Sequence, residues 1–327
     1  MCNQLIHVHA PNPGGVTDYV DLCAVFDFGR EKFAIKKQMA FNRPLPELCV
    51  LHYSGYGYAK RGAPLWLLNK AQADRPNIKI FGVFFHELYA FGPPWKSAFW
   101  VSPLQRRIAR RLAEMSDFWI TNREGSARWL RRFAGEKPHA VLPVFSNVGE
   151  TPVYSNERIP KIVVFGSASL RMATYRAAGE ALFSWAHEQG LELHDIGPTI
   201  DDSVLVQALH GAGVVLHGRL EAAEVSKQLS NAMFGVLAYP LDYVAKSGVF
   251  AAYCAHGVCP ILISKSFAPA DGLTEGNHYI AGLPVQAMQL SAAKDIGSAA
   301  WSWYQPHQIM AHVNILKQLL NEAGATC

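Results

Sequence analysis

Short, nearly continuous apolar runs punctuate the first half of the chain: Leu5–His9, Leu48–Tyr53, Ile78–Phe85, Asp117–Thr121 and Ala140–Val144. Between them lie stretches with helical period. One, from Val16 to Phe26, follows the turn-rich loop Ala10-Pro11-Asn12-Pro13-Gly14-Gly15. Another, Leu104–Met115, sets Leu104, Ile108, Leu112 and Met115 on one face and Arg106, Arg107, Arg110 and Arg111 on the other. Ser126–Phe133 repeats the motif, with Arg128, Arg131 and Arg132 around Trp129, Leu130 and Phe133. Strands this uniformly apolar are buried on both faces, which implies a mainly parallel sheet covered by helices.

Between Asn147 and Pro160 the pattern lapses into Pro, Gly, Asn and charged residues, and then a second alternation begins. Lys161–Phe165, Leu191–Ile196, Val214–His217, Gly235–Tyr239 and Pro260–Ile263 read as strands; Tyr175–Glu188, Phe250–Ala255 and His307–Glu322 read as helices. The economical architecture is α/β, with two tandem Rossmann-like doubly wound domains and a cleft between them. Its expected boundaries are 1–150 for the first domain, 151–160 for a linker, 161–304 for the second domain, and 305–327 for a C-terminal helix.

Composition agrees with two ordinary cores. Half of the 327 residues are apolar and 17% are charged, which excludes a disordered or low-complexity chain. Charge changes the picture more. The net +4 splits into 20 Lys+Arg against 12 Asp+Glu over residues 1–150, and 10 against 14 over 151–327. A basic front joined to an acidic back suggests two bodies with different partners. The six cysteines have no CxxC pair; Cys254, His256 and Cys259 lie close together but lack a second ligand pair, so no metal site is expected. No leader-like N-terminus and no apolar run of membrane-spanning length is evident, so a cytoplasmic protein is expected.

Ligands of open parallel sheets collect beyond the carboxyl ends of the strands, where loops and helix starts expose main-chain N–H groups. Four loops fit. Gly14 and Gly15 let the backbone approach a phosphate or sugar, although a plain tight turn uses the same residues. His86 and Glu87 end an otherwise wholly apolar strand, where a histidine either donates to a substrate hydroxyl or is bonded into the core. Ser167 and Arg171 flank a small-residue loop. Lys246, Ser247 and Gly248 open a helix and combine a cation, a hydroxyl and unpaired N–H groups; a solvated helix cap is the plainer alternative. No HExxH, EF-hand, GxSxG, Walker or GxGxxG spacing occurs, and no nucleic-acid-recognition module is visible.

Taken in order, the motifs resemble those of the GT-B glycosyltransferases, in particular the bacterial retaining nucleotide-sugar-dependent group (glycosyltransferase family 4-like, group 1). The matching stretches are Pro13-Gly14-Gly15-Val16-Thr17-Asp18-Tyr19, Phe85-His86-Glu87-Leu88-Tyr89 and the run from Leu142 to Gly149. They continue with His194-Asp195-Ile196-Gly197-Pro198, His217-Gly218-Arg219-Leu220 followed by an acidic helix, and the run from His256 to Ile261. The resemblance implies a UDP-, GDP- or dTDP-sugar held mainly by the second domain, with no prosthetic group and no metal. Gly14, Gly15, Ser167, Arg171, Lys246, Ser247 and Gly248 would hold donor and phosphate; Gly197, His217 and Leu220 would line the base region. His86 and Glu87 would be catalytic, acting on a glycan, lipid-linked or small-molecule acceptor.

One departure stands out. The glutamates that the family commonly uses for the nucleotide ribose fall here on Ala252 and about Ala245, and no Asp or Glu occurs between Asp242 and Asp271. A catalytically silent GT-B protein that binds a glycan or partner is therefore the alternative. A non-hydrolysing nucleotide-sugar epimerase is less favoured, because it needs acid/base carboxylates. The arginines of 106–132 form a basic surface for which no acidic partner is evident in sequence. They are expected either to be a solvated helix face or to dock peripherally on an anionic membrane.

Overall fold

The structure, a computed structural model, describes residues 5–11, 15–26, 31–36, 44–151, 153–155, 157–264, 270–284 and 289–324. The chain divides into two compact units: Met1–Leu142 with Ile309–Cys327, and Pro143–Gln308.

Unit 1 is built on six parallel strands, β1 (Ile6–His9), β2 (Glu31–Ala34), β3 (Leu48–Tyr53), β4 (Ile80–Phe85), β5 (Phe118–Thr121) and β6 (His139–Val141), in the order β2-β1-β3-β4-β5-β6. Central pairings such as Val50↔Gly82 and Val83↔Trp119 bring the most apolar runs side by side. The chain crosses between strands through α1 (Gly15–Phe26), the short α2 (Gly55–Tyr58), α3 (Leu65–Asp74), α4 (Ser97–Met115) and α5 (Glu124–Ala134). Leu51, Phe81 and Val83 from the sheet meet Ile108, Leu112 and Leu130 from α4 and α5 in the core. Each such side chain stabilises the unit by about 1.5–3 kcal/mol relative to leaving it in water.

Unit 2 repeats the plan with β7 (Ile159–Phe165), β8 (Glu192–Ile196), β9 (Val215–Leu216), β10 (Ala232–Ala238), β11 (Cys259–Ile263) and β12 (Ile280–Ala281), all parallel, ordered β12-β11-β10-β7-β8-β9. Its helices are α6 (Ala168–Ala178), α7 (Glu180–Glu188), α8 (Ser203–Gly211), α9 (Ala222–Ser230), α10 (Gly248–Ala255) and α11 (Leu290–Tyr304). Afterwards the chain rejoins unit 1 as α12 (Ile309–Glu322), which packs on α1. Among the described residues no helix is long and apolar enough to cross a membrane.

Several elements differ from the expectation. The helix expected over 175–188 is two, α6 and α7, broken at Gly179, whose φ of +62° continues neither. The strands β2 and β12 and the helices α2, α3, α8 and α11 went unpredicted, β2 because Glu31 and Lys32 interrupt any apolar run. The last helix starts at Ile309, because Gln305–His307 forms a 3-10 turn with Pro306 in it.

Candidate functional site

In unit 2 the sheet reverses its winding between β7 and β10, and in open parallel sheets it is beyond the carboxyl ends of two such neighbours that ligands collect. The loop after β7 carries Gly166 to Ser169 and starts α6; the segment after β10 runs through a 3-10 turn, Leu241–Lys246, and starts α10. They touch: a Cβ on Gly166 would lie 3.1 Å from Val249 Cγ2, in the first turn of α10. Two helix N-termini, with the partial positive charge of their unpaired N–H groups, therefore start at adjacent loops.

The predicted residues divide unequally around these two loops. Ser167 is exposed and caps α6, its Oγ accepting from Leu170 N at 3.3 Å, with Ser169 Oγ 3.1 Å away. Ser247 is buried and caps α10 by accepting from Phe250 N at 3.1 Å, so its hydroxyl is committed to the fold. Lys246 is partly exposed, with Nζ 5.8 Å from the centre of the Tyr243 ring. Gly248 begins α10 beside Asn147, whose Oδ1 lies 3.8 Å from where a Cβ would stand.

Arg171 corrects the sequence reading. Rather than facing a phosphate, it is 1% exposed. Its guanidinium pairs with Asp195 and donates to the carbonyls of Pro198 and, at 3.1 Å, Gly166. Tyr175 OH donates to the other oxygen of Asp195 at 3.0 Å. The three bonds of the Arg171 guanidinium tie the loop after β7 to β8 and the loop after it. Gly197 is the hinge of that tie: at φ +155° its missing Cβ leaves room for Gly166 O and Arg171 Nε. Gly197 N in turn donates to Gly218 O at 2.9 Å, and so links a third loop. His217 is half-buried, its Nε2 2.9 Å from His194 Nδ1, and Leu220 lies just before α9. Burial, the largest influence, lowers the pKa of His194.

In unit 1, His86 follows β4 and is almost buried, stacked on Phe84 with ring centroids 4.2 Å apart. Its Nε2 lies 3.0 Å from His52 Nδ1, and His52 Nε2 lies 2.9 Å from His7 Nδ1. Tyr19 packs across the group, within ring contact of His52 and His86, and its hydroxyl meets His312 of α12 at 2.6 Å. Burial foremost, then the neighbouring His7, His86 and His9, hold the His52 pKa well below the usual imidazole range. A neutral His52 has one N–H, so it donates to one neighbour and accepts from the other, which couples the tautomer of His86 to that of His7. The void among these rings, about 10 Å³, admits at most one water. Glu87 is exposed and accepts from Ser54 Oγ at 3.0 Å.

His7, His52, Tyr19 and His312 were not singled out in the sequence. The signal lay in histidines on β1 and β3 and just beyond β4, adjacent strands of one sheet. Gly15 opens α1 with no atom near its absent Cβ, so no close packing calls for a glycine there; Gly14 lies outside the described residues.

Two further expectations change. The arginine face does have acidic partners: Arg110 and Arg111 both pair with Glu114, at 2.7 and 2.9 Å, and Arg131 pairs with Glu124. Arg106 lies 4.4 Å from the Tyr89 ring centre. Arg107, Arg128 and Arg132 have no anionic partner among the described residues. Near Cys254 and Cys259, His256 meets Ser226 Oγ at 2.7 Å and Ala252 O at 2.8 Å, and burial raises both thiol pKa values. No group of three or more His, Cys, Asp or Glu among the described residues is placed to hold a metal ion. Ala245 and Ala252 are both buried, and α10 itself carries no carboxylate; the turn before it holds one, Asp242.

No family model matches the chain, and no curated protein matches it. Solved structures do. A putative UDP-N-acetylglucosamine 2-epimerase from Listeria monocytogenes is 11% identical with a TM-score of 0.58, over 100% of this chain and 99% of its own. The lipopolysaccharide outer core galactosyltransferase WaaB is 10% identical with a TM-score of 0.54, over 97% and 99%. The fold is GT-B. A GT-B architecture accounts for both parallel sheets and agrees with the α/β class read from the apolar runs. A TarM variant from S. aureus, in complex with fondaparinux, alpha-GlcNAc-glycerol and UDP, aligns at 10% identity and TM-score 0.53 over 85% of this chain. The chain spans only 54–59% of the GtfA and TarM chains that it matches.

Proposed function

We propose that this GT-B protein transfers a sugar from a nucleotide-diphosphate donor to an acceptor hydroxyl. The observation that carries the reading is the reversal of strand order between β7 and β10, where α6 and α10 begin at touching loops with Lys246 beside them. Oriented N–H groups and one cation suit the charge that develops on a departing diphosphate. Ser167, Ser169, Lys246 and the first turn of α10 are the groups assigned to it, and retention with metal-independent departure is carried over from the family resemblance. Arg171 supports the site indirectly, by fixing the loop in which Ser167 sits. His86 is assigned to the transferred sugar or the reacting hydroxyl, on an acceptor of glycan or small-molecule type.

Melting curves with UDP, GDP, dTDP and CMP test the donor. One of these ligands at roughly 100 times its dissociation constant adds about 2.7 kcal/mol of stability. Lys246→Ala weakens that shift, whereas His86→Ala preserves it and lowers turnover. A chain that no nucleotide stabilises would not have this function. The absence of a carboxylate at positions 245 and 252 favours a second reading, binding without turnover. Stabilisation by a nucleotide with no sugar released from any donor decides for it.

A further inference from the structure

The segment between β4 and α4, together with the first turn of α4, exposes an unusual run of aromatic surface. Phe91 is 61% exposed, Trp95 83%, Phe99 43% and Trp100 72%. Rings of this size bury about 150–250 Å² each when covered, and leaving four uncovered within ten residues of chain is costly in water. The polar handle of Trp100 is already spent: its Nε1 donates to Pro94 O at 2.8 Å, so the ring needs no partner from outside and is free to enter an apolar medium. Phe91 and Phe99 have no polar atom to satisfy.

The same surface is basic. Along α4, the residues three, four, seven and eleven positions beyond Phe99 and Trp100 fall on one stripe, which runs from those rings through exposed Arg106 and Arg107 to Arg110 and Arg111. Arg106 leans over Tyr89, at 4.4 Å, and Tyr89 packs on Trp129 of α5, with centroids 5.2 Å apart. That contact joins the stripe to α5, where Arg128 and Arg132 stand exposed. Glu114 and Glu124 neutralise part of this charge, but Arg107, Arg128 and Arg132 keep theirs.

We infer that this face of unit 1 docks on an anionic phospholipid bilayer. Trp95, Trp100, Phe91 and Phe99 enter the headgroup–acyl boundary while the unpaired arginines meet lipid phosphates. Aromatic rings at the interface and cations at the phosphate level are the division of labour such a surface requires. A soluble polyanion satisfies the arginines alone and leaves the rings in water. A polysaccharide seeks polar groups between the rings, which Phe91 and Phe99 do not supply. The inference is independent of the glycosyl-transfer reading, since vesicle binding requires neither donor nor turnover.

Co-sedimentation of the full chain with vesicles of phosphatidylcholine alone, or with added phosphatidylglycerol, tests it at low and high salt. The chain is expected to partition onto phosphatidylglycerol vesicles at low salt at least about tenfold more strongly than onto phosphatidylcholine. Trp95→Ser with Trp100→Ser weakens that partition about tenfold, and Arg107→Glu with Arg128→Glu and Arg132→Glu abolishes the preference for anionic lipid. Melting temperatures of both variants, unchanged because all five side chains are exposed, show that the fold is intact. Failure to bind anionic vesicles at low salt overturns the inference, as does binding by the tryptophan variant equal to that of the parent. It is likewise overturned if sedimentation velocity shows a dimer that the tryptophan variant dissolves while vesicles bind neither protein.

Discussion

Arg171 and Lys246 both looked like phosphate ligands in the sequence, and burial separates them. Arg171 has its charge matched by Asp195 and two further donors taken by main-chain carbonyls; Lys246 keeps a solvent-facing side. Removing one member of a buried pair strands the other charge, which costs about 3–5 kcal/mol. Arg171→Met is therefore expected to lower the stability of unit 2 by about that amount in urea titrations. Lys246→Ala, at a partly exposed side chain, changes it by much less, about 0.5 kcal/mol. A similar loss from both substitutions contradicts the assignment. Sequence could not tell the two apart, because the partner of Arg171 lies 24 positions away on β8.

At the scale of elements, two glycines punctuate the donor-side loops in different ways. Gly179 stands at φ +62° with nothing near its absent Cβ, so Gly179→Ala meets backbone strain alone, about 1 kcal/mol. Gly197→Ala adds a clash with Gly166 O and Arg171 Nε and is expected to cost several-fold more; thermal unfolding of the two variants ranks them. The strands were legible because burial on both faces leaves a continuous apolar run, as in Leu48–Tyr53, whose expected and observed limits coincide. The helix break at Gly179 was not, because glycine within an amphipathic pattern is tolerated as often as it terminates. The helix start at Ser247 was readable as capping chemistry, but the one at Ser167 read only as a small-residue loop, and the chain of His7, His52 and His86 depends on strand order, which apolar periodicity does not encode.

For the whole molecule, the opposite charges of the two halves become more local. Pairing with Glu114 and Glu124 leaves the unpaired arginines on α4 and α5, and unit 2 keeps its candidate cation at one helix start. Unit 1 also depends on a remote stretch of chain. Leu316 and Leu320 of α12 are buried within it, and His312 meets Tyr19 across 293 positions of sequence. Leu316→Ala with Leu320→Ala removes two such anchors, each typically worth about 2–5 kcal/mol. Hydrogen exchange is expected to rise in the strands of unit 1 while β7 and β10 keep their protection; equal loss in both sheets refutes this independence.

The late arrival of α12 also sets an order of events during synthesis. A ribosome delivers β1 to β6 first, yet the helix that seals Tyr19 and the histidine chain emerges only after all of β7 to β12 has been made. The first sheet must therefore wait, its α1 flank uncovered, for a segment encoded on the far side of the second. A nascent chain arrested before residue 309 is expected to expose that flank to chaperones and proteases, although every strand of unit 1 is already present.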